Sequence, residues 1–189
     1  LSSYHKNKNL LDTQLDSLSS SKWRNKKVKA KKRAIDHAAE ILDVESRRNK
    51  AHSFPLKIDS DKLISFENEF PYNETPDQIE SFKAIKKDIS LIKPMNRVLC
   101  GDVGFGKTEV AMRASFISAL SEKQVIVIVP STVLCEQHFN SFIKRFINYP
   151  VNIKKLNRFV STKEREIVID EFNEKKIDIL ISTHVVFNN

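Results

Sequence analysis

The only three glycines of the chain, Gly101, Gly104 and Gly106, fall within six residues of one another. They stand in the run Gly101-Asp102-Val103-Gly104-Phe105-Gly106-Lys107-Thr108, whose spacing is G-x-x-x-x-G-K-T. Glycine admits left-handed backbone and, having no Cβ, lets successive N–H groups approach a phosphate oxygen closely. The chemistry such a run can do is to hold a nucleoside triphosphate. Its amides cradle the phosphate oxygens, Lys107 reaches the β- and γ-phosphates, and the Thr108 hydroxyl ligates Mg²⁺. The bland alternative is a glycine-rich turn that merely joins a strand to a helix.

The phosphate reading needs a strand before the loop and a helix after it, because the helix N-terminus supplies the free N–H groups and the dipole. Arg97-Val98-Leu99-Cys100 is short and apolar, and predicts the strand. Lys107 to Leu120 carries Val110, Ala111, Ala114, Ile117 and Leu120 at helical spacing, and predicts the helix. A second segment, Thr75-Pro76-Asp77-Gln78, reads as a helix start: Thr75 as N-cap, Pro76 in the first turn, Gln78 closing a capping box. Its functional alternative is that Gln78, with an aromatic such as Phe70 or Tyr72, reads and stacks on an adenine; from the local sequence the cap is the simpler reading.

Beyond Thr75 helices and short β-branched runs alternate: helix 76–91, strand 98–100, helix 107–120, strand 125–129, helix 133–146, strand 151–156, helix 163–172, strand 177–182. This predicts an α/β lobe with a parallel sheet covered by helices on both faces. Val125-Ile126-Val127-Ile128-Val129 is apolar without alternation, as a central strand would be. Ligands of such sheets sit at the carboxyl ends of the strands, where the glycine loop, Pro130-Ser131-Thr132 and Thr183-His184 all fall.

With 189 residues, 40% of them hydrophobic, the chain can bury a core. No apolar stretch approaches a membrane span, and the N-terminus carries neither an initiator Met nor a signal-peptide core, which suggests a piece of a longer soluble protein. Cys100 and Cys135 lack metal-ligand spacing and read as reduced core thiols of a cytoplasmic protein. The net charge of +8 is uneven, since eight of the twelve residues from Lys22 to Arg33 are basic. Taken alone that stretch is a solvated helix face, or else a contact for nucleic-acid phosphates or an acidic protein surface. It opens a helix over about 21–50, free of Gly and Pro, with an apolar stripe at Trp23, Val28, Ile35, Ala38, Ala39 and Leu42 that asks for a partner.

The segment from Pro94 through the loop to Ala114 closely resembles the translocase module of bacterial transcription-repair coupling factors. Phe70-Pro71-Tyr72-Asn73-Glu74-Thr75-Pro76-Asp77-Gln78 resembles that family's adenine-recognising motif, and Val129 to Phe139 its next helicase motif. Phe105 separates the loop from the related branched-DNA helicases, which usually have Ser there. The resemblance implies a RecA-like P-loop NTPase lobe over 53–189, incomplete, preceded by a linker helix over 21–52 and, in 1–20, the remnant of an RNA polymerase-interacting domain. It implies ATP and Mg²⁺ as cofactors, held by Gly101, Asp102, Val103, Gly104, Phe105, Gly106, Lys107, Thr108 and Glu109. Lys107 and Thr108 would act on the phosphates, Gln78 would contact the adenine and Phe70 would stack on it. Ser131, Thr132, Arg158, Phe159, Thr183 and His184 match DNA-facing positions, while Asn157 and Ser182 depart from the family's usual Ser and Gly. The implied partners are double-stranded DNA, RNA polymerase and nucleotide excision repair proteins, and the implied role of the basic helix is mechanical coupling.

A complete motor also needs an acidic pair at a strand's carboxyl end and an arginine from a second lobe. Asp178, the one strand acid, lies at the start of its run instead. The expectation is therefore ATP binding with little or no hydrolysis by these residues alone. A branched-DNA helicase and a non-enzymatic basic interaction module are the alternatives.

Overall fold

The computed structural model describes residues 21–187; the expected domain remnant at 1–20 lies outside them. The chain divides after Ala51 into two units. The described part of the first is one helix, α1 (Ser21–Lys50), with no buried residue. Its last turn carries Arg47, Arg48 and Lys50, which suit the negative end of the helix dipole, and Asp43 pairs with Arg47 at 2.6 Å.

The second unit contains α2 (Ser60–Asn68), α3 (Pro76–Ile89), α4 (Lys107–Leu120), β1 (Val125–Ile128), α5 (Thr132–Arg145), β2 (Ile153–Leu156), α6 (Thr162–Asn173), β3 (Ile179–Ser182) and a 3₁₀ turn at His184–Phe187. The three strands pair in parallel in the order β1-β3-β2, with Val125 and Ile153 both opposite Ile179. Period-two alternation sends β3 into two cores. Ile179 and Ile181 meet Phe142 and Cys135 of α5 and Met112 and Phe116 of α4, while Leu180 meets Val168 of α6 with Leu156 and Ile177. Helices thus cover both faces, as the alternation of segments requires.

Three expectations are corrected. Strand 98–100 does not form: Arg97 to Gly101 is extended but belongs to no sheet, because among the described residues no strand lies beside it, and Val98 is 83% exposed. Cys100 is accordingly exposed, whereas Cys135 is fully buried and hydrogen-bonds to the Ile181 carbonyl at 3.4 Å. The central strand is β3, all four of whose residues are buried; β1 lies at an edge, with alternate residues Ile126 and Ile128 exposed.

α2 falls between the long helix and Thr75, where the sequence predicts no regular element. Asp59 caps it by accepting from the Lys62 amide at 3.2 Å, and Leu63 and Phe66, three apart, turn one face inward. Phe66 stacks on Phe116 of α4 with centroids 4.1 Å apart and meets Tyr149 edge-on. Burying an aromatic pair contributes about 0.5–1.5 kcal/mol beyond the area removed from water, so this short helix is held chiefly by its packing.

Candidate nucleotide and nucleic-acid sites

The glycine loop needs left-handed backbone at two of its three glycines, Gly104 (φ 84°) and Gly106 (φ 70°). Gly106 is the N-cap of α4 and offers no side-chain cap, so nothing of its own covers the orphan donors of the first turn. A Cβ at Gly106 would strike the Gln78 amide nitrogen. That nitrogen donates to the Phe105 carbonyl at 2.9 Å, and Gln78 Oε1 accepts from the Thr75 amide at 3.0 Å, while the Gln78 amide donates to Thr75 Oγ1 at 3.3 Å. The capping box is therefore formed, and the same glutamine reaches the phosphate loop. A primary amide has two N–H groups and two acceptor lone pairs, so one of each remains for a ligand.

Lys107 folds its ammonium back over the loop, donating to the carbonyls of Gly101 at 2.7 Å and Asp102 at 2.5 Å. The Val103 amide donates to Asp102 Oδ1 at 2.7 Å. Thr75, Gln78, Gly101, Asp102, Phe105 and Lys107 line one cavity of about 250 Å³, together with exposed Cys100. These residues fit a nucleoside triphosphate: a loop that a Cβ would obstruct, a cation at its floor and an amide at its wall. Thr108, second in α4, supplies one hard oxygen for Mg²⁺. Among the described residues no three His, Cys, Asp or Glu side chains gather into a metal site, so phosphates and water would complete that ion's shell.

Two of the expected nucleotide contacts lie elsewhere. Phe70 does not line the cavity; Tyr72 meets it edge-on at 5.5 Å and the Arg113 guanidinium lies 5.4 Å from its ring. The Glu109 carboxylate turns away from the loop into the protein. Arg113 Nε donates to Glu109 Oε1 at 2.9 Å, and Arg145 donates to both oxygens, at 2.8 and 3.1 Å. Arg113 also pairs with Glu74, and Arg145 Nη2 donates to the Phe66 carbonyl at 2.5 Å. Glu109 and Arg113 sit four apart on a predicted helix, a legible signal. Arg145 left none.

A second concavity, of about 290 Å³, is lined by Pro130, Ser131, Thr132, Arg158, Thr183, His184 and Val185. Each strand's carboxyl end contributes: Ser131 and Thr132 follow β1, Arg158 follows β2, Thr183 and His184 follow β3. Five of the six expected DNA-facing residues thus meet in one groove, at the edge where open parallel sheets place ligands. The sixth, Phe159, is 75% exposed and stacks under the Arg158 guanidinium at 5.0 Å. Ser131 caps α5 by accepting from the Leu134 amide at 3.2 Å, and the Thr183 hydroxyl is buried with no hydrogen-bond partner.

The two departures from the family pattern are structural. Asn157 Oδ1 accepts from the Phe159 amide at 2.9 Å and its Nδ2 donates to Glu136 at 3.1 Å, shaping the turn that presents Arg158. Ser182 Oγ donates to the Leu156 carbonyl of β2 at 2.8 Å. Lys155 beside Glu136, and then Asn157, hold the Glu136 carboxyl below its ordinary range. No carboxylate stands at a strand's carboxyl end in the described residues. Asp178 precedes β3 and accepts from the Asn152 amide at 2.7 Å, and the only Asp-Glu dipeptide, Asp170-Glu171, lies inside α6. No helix among the described residues is long and apolar enough to cross a membrane.

Residues 75–189 match the DEAD/DEAH box helicase family. The chain is 47% identical over 174 residues to the transcription-repair-coupling factor of Borreliella burgdorferi, which covers 92% of this chain and 16% of that protein. It is 44% identical over 170 residues to that of Escherichia coli K12, covering 90% and 15%. The chain thus spans about a sixth of the length of these relatives. A solved structure of RecG bound to a three-way DNA junction superposes on 77% of this chain and 20% of its own, with a TM-score of 0.72 and 29% identity.

Proposed function

We infer the function from the premise that this chain belongs to the DEAD/DEAH box helicase family. It is the nucleotide-binding part of an ATP-dependent double-stranded DNA translocase that acts in transcription-coupled repair and displaces stalled RNA polymerase. The observation that carries this is the joining of Gln78 to the glycine loop, which unites the base-side and phosphate-side elements of one cavity. The similarity to transcription-repair-coupling factors supports RNA polymerase and excision repair proteins as partners, and with them the domain reading of 21–52 as a linker and 53–189 as part of a RecA-like lobe. Phe105 in the loop favours this over a branched-DNA helicase.

ATP supplies a high-energy phosphoanhydride and Mg²⁺ neutralises its charge. Within this chain Lys107, released from the Gly101 and Asp102 carbonyls, pairs with the phosphates, the first-turn amides of α4 orient them and Thr108 ligates the metal. Gln78 offers its remaining donor and acceptor to the adenine edge. Ser131, Thr132, Arg158, Thr183 and His184 grip a DNA strand's backbone in the groove, where hydroxyls and a guanidinium suit phosphate oxygens and read no sequence. Among the described residues no acidic pair stands at a strand end, which supports ATP binding with little hydrolysis by this chain alone.

The test has two arms. The isolated chain should bind a fluorescent ATP analogue, and Lys107→Ala should abolish that binding. Exchanged for the matching segment of the Escherichia coli relative, the chain should support release of stalled polymerase, and Lys107→Ala should abolish it. A chimera that works equally well with Lys107→Ala would remove the motor reading and leave an interaction module.

A further inference from the structure

The ionic cluster behind the phosphate loop ties together the two walls of the nucleotide cavity. Glu109 follows Lys107-Thr108 directly and is 9% exposed; Arg113 is 3% exposed. From Glu109 one link runs through Arg113 to Glu74, the residue before the Thr75 cap and four before Gln78. Another runs through Arg145, at the last residue of α5, to the Phe66 carbonyl at the end of α2. The rings of Phe70 and Phe82 flank the Arg113 guanidinium at 5.4 Å each, and the Phe66 ring lies 3.8 Å from that of Arg145. Arg113 Nη2 and Arg145 Nη1 are buried without a hydrogen-bond partner.

Such a cluster is a poor device for stability alone. Buried charges lose hydration, and well-packed apolar residues of similar volume commonly do as well or better. What the cluster supplies is direction: charged hydrogen bonds that fix angle and distance where apolar packing tolerates sliding. The elements it fixes are the start of α4, which carries Lys107 and Thr108, and the segment leading into α3, which carries Thr75 and Gln78. Both line the cavity.

We propose that Glu109 is a positioning residue that sets the separation of the phosphate-holding and base-holding walls, so that a ligand touching both is bound more tightly than its halves. This rests on the nucleotide site proposed above. Glu109 itself touches no ligand; its oxygens are spent on Arg113 and Arg145.

The test compares ATP, which spans both walls, with inorganic tripolyphosphate, which reaches only one, by calorimetric titration of the chain. In Glu109→Gln, ATP affinity should fall about tenfold or more, in the range of losses typical for residues that orient a ligand-holding shell. Tripolyphosphate affinity should change less than about threefold on the same scale. Because Glu109→Gln removes the charge that Arg113 and Arg145 share and can unfold the protein, Arg113→Met serves as a second variant: a flexible apolar chain between Phe70 and Phe82 removes the link from Glu109 to Glu74 and leaves Glu109 paired with Arg145. It should show the same split. Equal losses of both ligands, or none, in folded Arg113→Met overturn the proposal and leave the nucleotide site standing. Failure of the unaltered chain to bind either ligand overturns the site and this inference with it.

Discussion

Replacing Gly106 with alanine separates two costs that the loop combines. Any residue with a Cβ held at φ 70° pays about 1–2 kcal/mol for left-handed backbone. Gly104, at φ 84°, pays that and nothing more, since a Cβ there has no atom within 4 Å. At Gly106 the added Cβ also displaces the Gln78 amide. That group is the far end of a flexible side chain and can swing aside, so the penalty is the loss of its hydrogen bonds to the Phe105 carbonyl and the Thr75 amide rather than steric strain. Both bonds are exposed, which places the pair near the low end of the range, about 1 kcal/mol together. Gly106→Ala should therefore cost about 2–3 kcal/mol against about 1–2 for Gly104→Ala, a gap of about 2–4 °C in Tm for a chain of this size. Thermal and urea unfolding of both variants, repeated in a Gln78→Ala background, measure it as a double-mutant cycle. In that background the gap should close. If the two glycine variants melt together, or the gap survives without Gln78, the link between the glutamine and the loop is not what the loop's third glycine accommodates.

Other expectations concern the groove, the thiols and the charges. Arg158→Ala should weaken DNA binding and lower the salt slope of log K by about 0.9, the signature of one lost phosphate contact; an unchanged slope removes Arg158 from the backbone. Burial pushes the Cys135 thiol up, so a thiol reagent at neutral pH should label Cys100 at once and Cys135 only on unfolding, and mass spectrometry of the labelled peptides reads the order. Ile181→Ala, deleting fully buried bulk from β3, should cost about 2–5 kcal/mol in denaturant unfolding. The carboxyls of Asp88, beside Arg97, and Glu136, beside Lys155, are held below their ordinary values. A lowered folded value stabilises above the unfolded pKa and is lost as pH falls through the folded one. Stability should therefore decline from about pH 4 downward, and Lys155→Met should flatten that decline; an equal acid profile would show that the pair contributes nothing.

What the sequence made legible is what short-range chemistry dictates. The capping box at Thr75 and Gln78 and the left-handed glycines are decided within four residues, and each stands as its residue types require. The groove was legible because strand ends in a parallel sheet share one edge, whatever order the strands take. That order was not: Val125–Ile128 is wholly apolar and Ile179–Ser182 apolar but for its last residue, and only pairing makes the second central. Strand 98–100 failed for the same reason, since extended residues become a strand only beside another. Arg145 reaches Glu109 across 36 residues, and nothing local marks an arginine at a helix end as a buried partner.

The exposed side of β1 carries a consequence for handling the protein. Among the described residues nothing pairs with its outer edge, and a Val-Ile-Val-Ile run with no charge, no proline and no bulge offers free N–H and C=O groups to any other extended chain. Natural sheets blunt such edges with lysine, proline or a covering element, because an open one templates edge-to-edge association. A second copy of this chain presents the same four residues. Solutions of it should accordingly grow β-rich oligomers with rising concentration, and a lysine in place of Ile126, whose side chain is already half in solvent, should hold it monomeric.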